Sequence, residues 1–288
     1  MNQKTKMIIA VALTAVMCTG GTYMLTSGSG SDTTVLRLEG STTVAPLMEK
    51  YAEIYEGYTN VRIEITPNGS QNGVDAANSG IANIGLSSRN AGHASHAGLT
   101  EIRIGVDTVV LIVGSGAGVT ALTKTQVIGI YNGTITNWNQ VGGENRLIVP
   151  VDRYEGSGTR SYFEESFASD GTSTLNINRN HASPAGGTGA VIGFVSSNPG
   201  AIAYVSLGSL VTDAEKGMAV ALDMTNAGTG TAFSPITQLD SYTLKRDLVL
   251  LVKGEPTGPV SVFISWILGT EGQKILEEAG YLPLAALS

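Results

Sequence analysis

Charge is the scarcest property of this 288-residue chain: Asp, Glu, Lys and Arg make up 14% of it, below the quarter usual for soluble proteins. Apolar residues at 42% still permit a large core, which excludes a disordered chain. A single cysteine, Cys18, excludes an intrachain disulfide and a cysteine-built zinc cluster. Histidine is rare too. His93 and His96 stand three apart in a Gly/Ala/Ser-rich stretch with no close carboxylate to complete a metal site, so they read as a solvated loop. His181 lies beside Ser183 and Pro184 without a visible triad. No G-x-x-x-x-G-K-[ST], G-x-G-x-x-G or G-x-S-x-G occurs, which removes the nucleotide P-loop, the dinucleotide fold and the hydrolase elbow. Neither a metal nor a cofactor is expected, and an enzyme is the weaker class. A net charge of -7 argues against a nucleic-acid partner.

What is present begins with an address. Lys4 and Lys6 precede an apolar run from Met7 to Met17, and small residues follow Cys18. This reads as a secretory signal or a membrane anchor over residues 1–18, the run being short for a span of ~20 apolar residues. Cys18 sits where a lipid-bearing cysteine would follow cleavage, although Met17 stands where a small residue is expected. Lipidation and a retained anchor are both compatible with the pattern. Residues 19–34, ending in TSGSGSDTT, form a flexible Gly/Ser linker. The rest of the chain is expected on the outer side of the cytoplasmic membrane, secreted or anchored there.

From Val35 onward, short strands alternate with helices, the mark of an α/β fold. Strands are expected at Val35–Leu38, Val61–Ile65, Ile81–Leu86, Asp107–Val113 and Asp247–Lys253. Helices are expected through Val44–Tyr55, Gly73–Ser79, Tyr162–Phe167, Thr257–Leu268 and Glu271–Ala279. The strands DTVVLIV and DLVLLVK resemble each other. Chain that leaves one domain at the first and returns at the second would give two lobes: 35–113 plus 243–288, and an inserted 114–242. Two hinge crossings between lobes make a cleft, the usual place for a small ligand.

One local device recurs. Gly40-Ser41-Thr42-Thr43, Gly69-Ser70-Gln71-Asn72-Gly73 and Gly156-Ser157-Gly158-Thr159-Arg160 each put glycine and hydroxyl residues at a helix start. The first turn of a helix has unpaired N–H groups and the positive end of the peptide dipoles. Glycine lets an anion approach that backbone, and Ser or Thr adds a hydroxyl. The same residues are also ordinary helix caps, so one such loop decides nothing. Arg153, Arg160 and the Ser87-Ser88-Arg89 segment add guanidinium groups, which suit oxyanions through paired hydrogen bonds. Glu155 is the obvious local partner for Arg153. In an acidic chain, attraction of an anion must come from such local groups.

In this order the loops resemble the substrate-binding proteins of phosphate ABC transporters. The likeness runs from Leu36 to Leu284. It includes GSTTVAPL (40–47), NGSQNGV (68–74), IGLSSR (84–89), LTKTQVIGIYNGTITNWNQVGG (122–143), VDRYEGSGTR (151–160) and the ending from Lys253 to Leu284. It implies a two-lobed type II periplasmic-binding-protein fold, each lobe a mixed sheet flanked by helices. It also implies a monomer that binds inorganic phosphate and delivers it to a membrane permease.

The resemblance implies the ligand set as well: Thr42, Thr43, Ser70, Ser88, Arg153, Ser157, Gly158 and Thr159. Ser41, Ser87, Arg89, Glu155 and Arg160 would support them, with Glu155 orienting Arg153. Some members of that family carry an aspartate at the position of Ser88, whose carboxylate accepts the proton of hydrogen phosphate and repels sulfate. A hydroxyl there leaves sulfate, molybdate or tungstate as alternative ligands. A phosphate sensor would use the same site, and a secreted phosphatase would need a nucleophile or metal that the sequence does not display.

Overall fold

The computed structural model describes residues 33–168, 175, 177, 183–225 and 230–287. The leader 1–18 with Cys18, the linker before Thr33 and His181 lie outside them. Ten strands occur among the described residues: β1 (Thr34–Gly40), β2 (Val61–Pro67), β3 (Ile84–Ser87), β4 (Thr100–Val113), β5 (Ala121–Thr123), β6 (Val149–Arg153), β7 (Ser183–Ala185), β8 (Ala201–Ser206), β9 (Ala221–Asp223) and β10 (Lys245–Val252). The helices are α1 (Ala45–Glu56), α2 (Ser70–Ser79), α3 (Lys124–Asn132), α4 (Gly158–Phe167), α5 (Thr188–Ser197), α6 (Asp213–Lys216), α7 (Gly258–Leu268) and α8 (Thr270–Glu278). Eight strands pair in the order β2-β1-β3-β10-β4-β8-β6-β7, and β5 pairs with β9 apart from them.

The two look-alike strands are neighbours, and β10 runs antiparallel to β4. β4 starts seven residues before its expected Asp107, because Ile102 and Ile104 alternate with Glu101 and Arg103. That period of two buries one face and leaves the charges outside. β3 is shorter than expected: Ile81 is 68% exposed and stays outside the strand. α2 begins at Ser70, a turn earlier than its apolar pattern.

Within the unit Thr33–Ser288 the apolar side chains gather in two main cores. One holds Leu38, Tyr51, Ile84, Ile104, Leu248, Phe263 and Leu276. The other holds Val109–Val113, Tyr131, Trp138, Phe163, Tyr204 and Leu244. The chain passes from the first to the second along β4, between Ile104 and Val109. It returns between Leu244 and Leu248.

Two glycines set up the polar seam between them. Gly40, at φ 135°, occupies backbone space that side-chain-bearing residues rarely adopt. A Cβ there would lie 2.3 Å from the Leu86 carbonyl oxygen, and one on Gly73 would lie 2.6 Å from the same atom. The ends of β1 and β3 and the first turn of α2 therefore touch backbone to backbone. This places Ser41, Ser70 and Ser88 side by side.

Candidate functional site

Ser41 Oγ accepts the amide hydrogens of Thr43 and Val44, at 3.2 and 3.3 Å, as a capping hydroxyl does. It donates in turn to Ser88 Oγ at 3.0 Å. Ser70 Oγ accepts from the Ser88 amide at 3.2 Å, and the two hydroxyl oxygens are 3.3 Å apart. All three serines are buried.

The facing wall comes from the second core. β6 ends at Arg153, and Ser157 caps α4 by accepting from the Arg160 amide at 3.4 Å. Gly158 opens the helix so close to the serines that an added Cβ would sit 2.3 Å from Ser70 Oγ and 2.6 Å from Ser88 Oγ. Thr159 Oγ1 lies 3.2 Å from Thr43 Oγ1. Arg153 donates through Nη2 to Thr42 Oγ1 at 3.0 Å and through Nη1 to Thr188 Oγ1 at 3.4 Å. The sequence-nominated Thr42, Thr43, Ser70, Ser88, Arg153, Gly158 and Thr159 thus meet in one place, with Ser157 at the adjoining cap.

Arg153 is the unusual member. It is 2% exposed, and among the described residues its Nε has no partner and no carboxylate lies within ion-pair distance of it. Burial pushes its guanidinium below the ordinary value. A buried cation left without a counter-charge is costly unless something anionic meets it.

The supporting residues divide. Arg160 donates to the Arg153 carbonyl at 3.1 Å and pairs with Asp152 and Glu164, so it holds the strand end that carries Arg153. Burial alone would lower the Arg160 guanidinium, but the Glu164 hydrogen bond and the Asp152 charge outweigh it and raise it. Arg89 donates to Gln71 at 2.9 Å, Ser95 at 3.0 Å and Ser161 at 3.3 Å, bridging both walls at the edge of the site. Glu155, expected to pair with Arg153, lies in the exposed turn before α4 and forms no ion pair with it. The acid beside this strand end is Asp152, whose Oδ1 accepts from the Arg153 amide at 2.8 Å and from the Tyr204 hydroxyl at 2.5 Å.

The solvated-loop reading fails for His96. Its ring is buried, Nε2 lies 2.9 Å from Ser87 Oγ, and Nδ1 contacts Glu101. Ser87 therefore faces this histidine. The His96 ring turns inward between Ser87 at the end of β3 and Glu101 near the start of β4, while Ala91, Gly92, Ala94, Ala97 and Gly98 around it stay exposed.

Three residues escaped the sequence reading: Thr188, Arg246 and Asp107. Thr188 had a signal, since Gly186-Gly187-Thr188-Gly189 is a fourth glycine–hydroxyl helix start. Arg246 and Asp107 are 139 residues apart and fully buried against each other, Nη2 to Oδ2 at 2.8 Å. No local pattern joins them.

A family model described as a PBP superfamily domain matches residues 27–271, and the chain belongs to that superfamily. Its fold is the mixed α/β, periplasmic-binding-protein-like one expected from the sequence. A Clostridium perfringens protein, assigned as a phosphate ABC transporter substrate-binding protein and solved with bound phosphate, is 32% identical to it. The match covers 87% of this chain and 99% of that one, with a TM-score of 0.75. An ABC-type phosphate transport receptor from Vibrio cholerae is 27% identical over 87% of this chain and 100% of its own, with a TM-score of 0.64. The phosphate-binding protein PstS of Borreliella burgdorferi is 26% identical over 264 residues, 86% of this chain and 89% of its own. These relatives are named for binding and transport.

Proposed function

We propose that this chain is an extracytoplasmic solute-binding protein that captures inorganic phosphate between two lobes and delivers it to the permease of an ABC transporter. The observation that carries the reading is Arg153, a buried guanidinium ringed by hydroxyls with no carboxylate partner among the described residues. The phosphate-binding relatives supply the ligand. Lobe I would be 35–113 plus 243–288 and lobe II 114–242, hinged where the chain crosses between cores.

In this mechanism Thr42, Thr43, Ser70 and Ser88 hold the anion from lobe I. Arg153, Ser157, Gly158 and Thr159 reach it from lobe II as the lobes close. Charge-assisted hydrogen bonds contribute ~1.5–3 kcal/mol each. Micromolar binding needs ~8 kcal/mol, so a handful suffices after desolvation and closure. No bond is made or broken. Residues 1–18 would serve as an export signal or a retained anchor, with Cys18 as the position a lipid would take, and the linker 19–34 would leave a monomeric body secreted or held at the outer face of the cytoplasmic membrane.

A second ligand class has its own support. Ser88, a hydroxyl where some relatives of this kind carry aspartate, hydrogen-bonds between Ser41 and Ser70, and hydroxyls suit sulfate, molybdate or tungstate equally well. Titration calorimetry of the full chain with phosphate, sulfate, molybdate and arsenate across pH decides. Phosphate is expected to bind tightest. A tighter sulfate isotherm would reassign the cargo, and turnover of phosphate esters would move the protein into the enzymes.

A further inference from the structure

Arg246 stands at the start of β10, and its guanidinium is clamped. Nε and Nη2 reach Asp107 Oδ2 at 3.0 and 2.8 Å, while Ser206 donates to Asp107 Oδ1 at 2.6 Å. The clamp follows from sheet register: Arg246 is the cross-strand partner of Asp107, and Ser206 pairs on β8 two residues further along β4. One edge of this pair is turned to the site. Arg246 Nη2 donates to Thr43 Oγ1 at 3.2 Å, and Nη1 is buried with no partner among the described residues.

Hydrogen-bond direction gives the arrangement its meaning. A guanidinium only donates, so the Thr43 oxygen receives and its own proton is free to be given. A ligand oxygen can receive it, as can Thr159 Oγ1, 3.2 Å away, although in that pair either hydroxyl can be the donor. Arg153 acts the same way on Thr42 and Thr188. On the serine wall, Ser41 and Ser70 receive backbone N–H groups. Asp107 is already engaged by Arg246 and Ser206. The described hydroxyls are therefore biased to offer protons, which suits oxygens that carry none.

We propose that Arg246, held by Asp107 and Ser206, is a positioning residue that fixes Thr43 as a donor and so tunes the site toward the dianionic form of its tetrahedral ligand. This rests on the phosphate reading above.

The test is calorimetry of the full chain with inorganic phosphate on either side of its second ionisation. Wild-type affinity is expected to rise as the dianion forms. Arg246→Gln removes the cation and leaves Asp107, which shares Arg246 Nη2 with Thr43, as an acceptor without its counter-charge. Dianion affinity should fall more than about tenfold, as expected for a charge-assisted contact, and the pH trend should flatten or reverse. Because a bare buried carboxylate also endangers folding, a cycle of Arg246→Lys and Thr43→Val runs alongside. The lysine keeps the charge opposite Asp107 but loses the fork. If Arg246 acts through Thr43, the two losses are far from additive.

Additive losses, or a folded Arg246→Gln protein with wild-type affinity and pH trend, overturn the inference. A wild-type chain that binds phosphate and is weakened by Arg153→Ala but not by the Arg246 variants overturns this inference alone. A folded wild-type chain that binds no phosphate overturns the underlying reading as well.

Discussion

Arg153 Nη2 donates to Thr42 Oγ1 at 3.0 Å across 111 residues of chain, joining the end of β6 to the loop after β1. Each residue belongs to a segment anchored in a different core. The hydrogen bond therefore reports on how the two halves approach as well as on what they can hold. The predictions below separate those roles.

Arg153→Ala should weaken phosphate binding about a hundredfold or more, the loss expected for two charge-assisted contacts at ~1.5–3 kcal/mol each. Titration calorimetry measures it. Unchanged affinity would reject the role assigned to the guanidinium.

Gly158→Ala sets helix propensity against close approach. Alanine is the better helix former by up to ~1 kcal/mol. Its methyl would nevertheless meet Ser70 and Ser88 oxygens at 2.3 and 2.6 Å. Ligand-free thermal stability should hold while phosphate affinity drops about tenfold, the scale of one lost hydrogen bond. A variant that binds like wild type would show that these walls need not meet.

Thr188→Val removes a hydroxyl that receives from Arg153 and lies 3.3 Å from Thr42 Oγ1. A loss of about tenfold or more in phosphate affinity is expected, from ~1.5–3 kcal/mol for a hydrogen bond to a charged group. Direct binding isotherms check it, and an affinity equal to wild type would remove Thr188 from the site.

His96 gives a pH prediction. Burial holds its imidazole below the ordinary 6.5. Glu101 opposes that shift, while His93 and Arg89 reinforce it. The unfolded chain thus takes up the proton first, and stability is lost as pH falls through the ordinary value toward the folded one. Between about pH 7 and about pH 5, thermal unfolding of wild type should decline more steeply than that of His96→Gln, which cannot titrate. Parallel slopes would sink the assignment.

Gly73→Ala tests the backbone junction. Its Cβ would press on the Leu86 and Glu39 carbonyl oxygens at 2.6 and 2.7 Å, and neither can swing away. Both stability and phosphate affinity should fall, the former by about 1–3 kcal/mol as for other overpacked sites. Chemical denaturation reads the first and calorimetry the second. Loss of neither would mean the α2–β3 contact is dispensable.

Much of the fold was legible in the residues. Alternation in VRIEI and the apolar run of DLVLLVK gave strands, and the glycine–hydroxyl loops at 40–43, 69–73 and 156–160 fell at helix starts. These signals are local, since pleat period, helix capping and glycine's conformational freedom act within a few residues. The exposed turn that holds Glu155, the burial of His96 and the fourth loop at Thr188 were read wrongly or missed. Thr188 carries a local glycine–hydroxyl signal, whereas the burial of His96 and the exposure of Glu155 are set by how the folded chain packs around them.

The sequence by itself determined an α/β chain with three loops built to offer N–H and hydroxyl groups, because those properties follow from nearest neighbours along the backbone. Only the tertiary structure decided that Arg153 is buried without a carboxylate partner among the described residues and that Asp107 claims Arg246. Those outcomes arise from sheet register and from the packing of segments more than a hundred residues apart, where burial, not sequence proximity, selects a charge's partner.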